Sequence, residues 1–167
     1  MKSLKECVET LDWESMIEAA TLEQDPQNMQ GQAAQVTPAE PFLNSGIARC
    51  FIPDMHKEAI EYLSKAIVLN SNIHVNNNEA YYYRAYAFYL DGNYEKAIED
   101  CFSITNQAPD IYKDELLGKI YYAMSKYEEA VENFSTAVKW WFKQNPPIPN
   151  PGLLDSYREA CKKMNSV

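Results

Sequence analysis

One short helical phrase recurs three times along the chain, and this recurrence restricts the fold more than any other feature of the sequence. Residues 57–67 read Lys-Glu-Ala-Ile-Glu-Tyr-Leu-Ser-Lys-Ala-Ile, residues 95–104 read Glu-Lys-Ala-Ile-Glu-Asp-Cys-Phe-Ser-Ile, and residues 128–138 read Glu-Glu-Ala-Val-Glu-Asn-Phe-Ser-Thr-Ala-Val. Apolar residues fall three and four apart in each copy, which is the pattern of an amphipathic helix. Aligning Ala59, Ala97 and Ala130 gives spacings of 38 and 33 residues. A period in this range means stacked supersecondary units, each burying its apolar face against its neighbours.

Each phrase is preceded by a second helical stretch, so the repeating unit is a helix pair. The middle copy, 78–109, is the most regular. Its first helix covers Glu79 to Leu90, Asp91-Gly92-Asn93 makes the turn, and the phrase itself runs on to Gln107 before Pro109. Gly92 suits a left-handed turn, and Ala85 and Ala97 let two helix backbones approach closely. The third copy, 111–142, has Gly118 in place of Ala85, Tyr127 in place of Tyr94, and Ser125 where the turn glycine would be. The first copy, 39–71, has the weakest opening helix, because Gly46 and Pro53 are expected to interrupt or end it. The insertion 72–78 explains the longer first spacing, and its asparagines suit a helix start.

Outside the repeats, residues 1–38 read as a helical extension and linker that could include a worn repeat. Residues 143–149, with Pro146, Pro147 and Pro149, read as an extended link. Residues 150–167 read as a capping helix with Pro151 in its first turn and Leu153, Leu154, Tyr157, Ala160, Cys161 and Met164 on one face. Trp140 and Trp141 are its expected contacts.

The combination of an aromatic residue early in the first helix, Gly or Ala in its middle, Tyr after the turn, Ala in the second helix and a closing Pro resembles the tetratricopeptide repeat family. That resemblance implies an all-α, right-handed superhelical α-solenoid of about three helix pairs, with an N-terminal helical extension and a C-terminal capping helix. It also implies a protein-binding scaffold and no enzyme. The middle copy is similar to the middle repeat of co-chaperone domains, through Tyr81-Tyr82-Tyr83-Arg84-Ala85 and Asp100-Cys101. Those domains clamp a C-terminal carboxylate with lysine, asparagine and arginine. In this chain the clamp positions fall on Asn44, Ala48, Tyr83, Tyr112 and Leu116, and none keeps the expected residue.

Aromatic residues take the clamp's place. The resemblance assigns the concave groove to Tyr82, Tyr83, Tyr86 and Tyr89 of the middle copy and to Tyr112, Glu115, Leu116, Lys119 and Tyr122 of the third. Tyrosine offers a rigid apolar ring with a polar tip, which suits recognition of a peptide or short helix. The same set could equally serve packing between helices. Arg84 and Asp114, where apolar residues are commoner, read as an ion pair across the repeat junction, with a ligand contact as the alternative.

The remaining composition narrows the partner. Twenty-four acidic against fifteen basic residues give a net charge of −9, which opposes nucleic acid and anionic lipid and favours a basic or apolar protein partner. No apolar run reaches the roughly 18 residues that span a bilayer. The opening residues carry no secretory pattern, so a cytoplasmic location is expected. Cys7, Cys50, Cys101 and Cys161 lie far apart, and His56 and His74 have no partners at metal or catalytic spacing, so neither a metal nor a cofactor is expected. Self-association is compatible with the pattern. Two further readings stand beside the adaptor: a secretion chaperone of the bacterial type III kind, and a structural subunit of a larger assembly whose groove is filled by its own chain. Loss of three cations from a carboxylate clamp removes charge-assisted hydrogen bonds worth about 1.5–3 kcal/mol each. Calorimetric titration with an acidic peptide ending in Glu-Glu-Val-Asp is therefore expected to show no specific binding, and micromolar affinity would contradict the reading.

Overall fold

The computed structural model describes residues 39–72, 76–105, 111–143 and 151–166. Among these residues the fold is all-α. Seven helices follow one another: α1 (Glu40–Cys50), α2 (His56–Asn72), α3 (Asn78–Leu90), α4 (Tyr94–Ser103), α5 (Ile111–Ala123), α6 (Tyr127–Lys143) and α7 (Pro151–Met164). The expected extension over 1–38, and the proline-rich link beyond Lys143, lie outside the described residues. The chain divides into two compact units, with the boundary between Asn93 and Tyr94.

In the first unit, α1, α2 and α3 pack around Cys50, Ala59, Leu63 and Ala87, with Leu43, Ile47, Ile60, Tyr83 and Tyr86 against them. The closest point is Gly46, where a Cβ would lie 2.5 Å from Leu63 Cγ and 3.2 Å from the Leu63 backbone nitrogen. Gly46 therefore does not interrupt the first helix as its propensity suggested. It is buried inside α1, and the burial of Leu63 against it outweighs the roughly 1 kcal/mol that glycine costs a helix. Pro53 falls in the turn after α1, where it breaks no helical hydrogen bond. The start of α3 is fastened by two asparagines. Asn76 Oδ1 accepts from the Asn78 N–H at 2.7 Å, and Asn77 Nδ2 donates to Ile67 O and Ser71 Oγ of α2.

The second unit repeats the device. Here α6 and α7 build a core of Ala130, Phe134, Ala137, Leu153 and Ala160, against which Tyr121, Tyr122, Trp140, Trp141 and Tyr157 pack. Leu153, Tyr157 and Ala160 of the face read for the last helix join this core, and both tryptophans pack on the same cluster. A Cβ on Gly118 of α5 would lie 2.6 Å from the Phe134 ring. Leu63 and Phe134 each stand four residues after the aligned alanine of their phrase, so Gly46 and Gly118 are equivalent.

The turns confirm this register. Asp54, Gly92 and Ser125 adopt left-handed φ of 65°, 78° and 60°, and each lies five residues before its aligned alanine. Measured from the turn, however, Gly46 lies eight residues back, whereas Ala85 and Gly118 lie seven back. The first copy carries one extra residue between its helices, in the stretch Phe51–Met55.

Because the space beside Gly118 is filled by a ring, Gly118→Ala overpacks α5 against α6 and is expected to cost about 1–3 kcal/mol in urea unfolding. The middle copy holds Ala85 and the small Cys101 at the two corresponding positions. Combining Gly118→Ala with Phe134→Cys should accordingly cost less than the sum of the single changes. Strict additivity would rule out the close approach.

Candidate functional site

The first helix of the middle copy carries four of the expected groove tyrosines. Tyr82 and Tyr83 meet edge to face at 5.2 Å between centroids, and Tyr86 and Tyr89 lie tilted at 6.4 Å. Phe51, the C-cap residue of α1, joins the two pairs. Its ring lies 6.4 Å from Tyr83 and 6.0 Å from Tyr86. The result is an unbroken run of five rings, Tyr82–Tyr83–Phe51–Tyr86–Tyr89, within the first unit. All spacings fall in the 4.5–7 Å range of attractive aromatic pairs, about 0.5–1.5 kcal/mol each.

The rings do different jobs. Tyr83 and Tyr86 pack on the core of the first unit, so they anchor the run, while Phe51 is 44% exposed. The site was assigned from sequence without Phe51. Its position in the stripe Leu43, Ile47, Phe51 was visible, but its meeting with the rings of α3 was not.

Next to the run, the Cys50 thiol is buried and donates to Tyr83 O at 3.5 Å. Burial pushes its pKa up to about 12, with a backbone hydrogen bond acting weakly the other way. Cys50 is a packing residue and no nucleophile. Arg84 binds α3 to α2 through Nη1, which donates to Ser64 Oγ at 2.9 Å. Its guanidinium lies 5.6 and 5.9 Å from the Tyr81 and Phe88 ring centroids.

The residues expected from the third copy separate by burial. Leu116 is 2% exposed and belongs to the interior. Tyr122 packs on the α6–α7 core and lies edge to face with Tyr127 at 5.5 Å. Glu115 accepts from Lys119 at 2.6 Å, an i,i+4 ion pair along α5. Tyr112, 64% exposed, is the member that offers the most surface.

The extra residue of the first copy also corrects the clamp register. Tyr112 and Leu116 lie six and two residues before Gly118, so counting from Gly46 puts the first copy's two clamp positions at Glu40 and Asn44 in place of Asn44 and Ala48. A carboxylate at Glu40 and an amide at Asn44 leave this half of a carboxylate clamp without its cation. Among the described residues no group of His, Cys, Asp and Glu is placed to hold a metal, and no helix is long and apolar enough to cross a membrane.

A family model described as anaphase-promoting complex, cyclosome, subunit 3 matches residues 54–137, half of the chain. The chain belongs to this family. It is a tetratricopeptide-type repeat family, and the match opens at the left-handed Asp54 turn and ends in α6. Tetratricopeptide-type repeats mediate protein–protein interaction and are generally non-enzymatic. No curated protein matches the chain.

The burial of Cys50 is open to a direct check. In native protein at pH 9, where an ordinary thiol is half ionised, alkylation is expected to spare Cys50 and the buried Cys101 and to modify the part-exposed Cys161. Peptide mass mapping reads the order, and early loss of the Cys50 thiol would disprove its burial.

Proposed function

We propose that the chain is an interaction scaffold that holds an extended segment or short helix of a partner protein on the aromatic run of Tyr82, Tyr83, Phe51, Tyr86 and Tyr89. The observation that carries this reading is the division of labour among the rings. Two are fixed in the core, and these hold a partly exposed phenylalanine and two further tyrosines in a preset row. Rings fixed in place before binding lose little side-chain entropy when a partner arrives. The net charge of −9 favours a basic or apolar segment.

A second reading is favoured by the family description, which names a subunit of a complex. In it the chain is a structural subunit, and its aromatic face meets a neighbouring protein permanently. Co-chaperone activity through a carboxylate clamp draws no support from the acidic Glu40, from Tyr112 or from the interior Leu116. A type III secretion chaperone rests on length, acidity, repeat number and the helical N-terminal extension read from the sequence.

Affinity capture from the native cell separates these readings when wild type is compared with Phe51→Ala/Tyr89→Ala and with a control, Lys139→Ala, on the exposed side of α6. The scaffold reading expects partners that are lost with the first variant and kept with the control. Partners that stay bound through a high-salt wash and comigrate with the chain on native gels favour the structural subunit. Retention of every partner by the Phe51/Tyr89 variant would remove the aromatic run as the site.

A further inference from the structure

Away from the aromatic run, α1 and α2 bring two cations over one ring. Arg49 is the one Lys or Arg side chain buried among the described residues, at 7% exposed. Its guanidinium lies 4.2 Å from the Tyr62 ring centroid, and Nη1 donates to Ser45 O at 3.0 Å. Lys65 Nζ lies 5.4 Å from the centroid of the same ring and 5.9 Å from that of Phe42. Phe42 and Tyr62 are themselves 6.2 Å apart. Both charges therefore stand within about 10 Å of each other, since both lie over Tyr62.

A guanidinium taken out of water is costly without an anion. Among the described residues no carboxylate pairs with either, although the chain has twenty-four. Among the described residues Arg49 gives one of its five donors, to Ser45 O. A singly charged carboxylate would balance one cation. A phosphate group carries close to two charges at neutral pH and three acceptor oxygens, and so matches a guanidinium fork and an ammonium together.

We propose that Arg49 and Lys65, floored by Tyr62 and Phe42, form a binding site for a phosphate group. Arg49 supplies the directed donors and Lys65 the second charge. The two rings hold the cations in place and give apolar contact to whatever carries the phosphate. The site shares no residue with the aromatic run, so it stands or falls separately from the scaffold reading.

Calorimetric titration of the full chain at constant ionic strength tests it with three probes: a six-residue phosphoserine peptide, the same peptide unphosphorylated, and inorganic phosphate. The phosphopeptide is expected to bind saturably and the unphosphorylated peptide not to bind. Lys65→Gln, at an exposed position, should weaken binding about tenfold. Arg49→Lys, which keeps the charge but loses the fork, should weaken it by a similar factor with the circular dichroism spectrum unchanged. Tighter binding of phosphopeptide than of inorganic phosphate places the ligand on a phosphorylated protein, and equal binding makes it the free anion. Failure of both phosphate probes to bind the wild type, or unchanged affinity in Lys65→Gln, would overturn the proposal.

Discussion

The close approach of a glycine to a large side chain on the next helix is the contact on which the rest of the structure depends. Gly46 against Leu63 and Gly118 against Phe134 bring α1 onto α2 and α5 onto α6, with no room for a methyl group between them. Leu63 and Phe134 fill the space and become two of the largest fully buried side chains. Everything placed at the ends of these helices inherits that approach. The left-handed turns at Asp54 and Ser125 close short connections between backbones already held together, and two non-glycine residues accept an unfavourable φ to do so. Strain of that kind persists only where the surrounding packing fixes the chain on both sides.

The candidate site follows from the same packing. The Phe51 ring meets Tyr83 and Tyr86 of α3 from the end of α1, which stops four residues before its left-handed turn where α3 and α5 stop two before theirs. Tyr83 and Tyr86 are held because α3 lies on the Cys50–Leu63 core. The aromatic row is an outgrowth of the interior, and its geometry is set by residues a partner never touches. Loss of core packing at Leu63 would therefore disorder the row before any partner-facing ring was changed.

The helical phrases, the small residues in them, the Gly92 turn and the apolar face of the last helix were all legible, because each is a local pattern with a fixed period. What escaped local reading was anything decided by a neighbouring helix. Gly46 resembles a helix breaker when scored by propensity and becomes the tightest contact once Leu63 is opposite. The extra residue between α1 and α2 has no signature of its own, yet it moves the register of the first copy. Leu116 and Tyr122 share a helix face with Tyr112, but spacing alone does not say which part of a face is covered. Lys65 and Arg49 sit on different helices, so their meeting over Tyr62 was equally beyond a reading along the chain.

The boundary between the two compact units falls inside the most regular copy, after α3 and before α4. The frame in which the sequence repeats and the frame in which the chain packs are thus offset by one helix. α3 completes the packing of the copy before it, tied to α2 by Asn77 and Arg84, although its sequence belongs with α4. Evolution by duplication copies the one frame, while stability is judged in the other, so each added repeat must carry a first helix fitted to its predecessor and not only to its own partner.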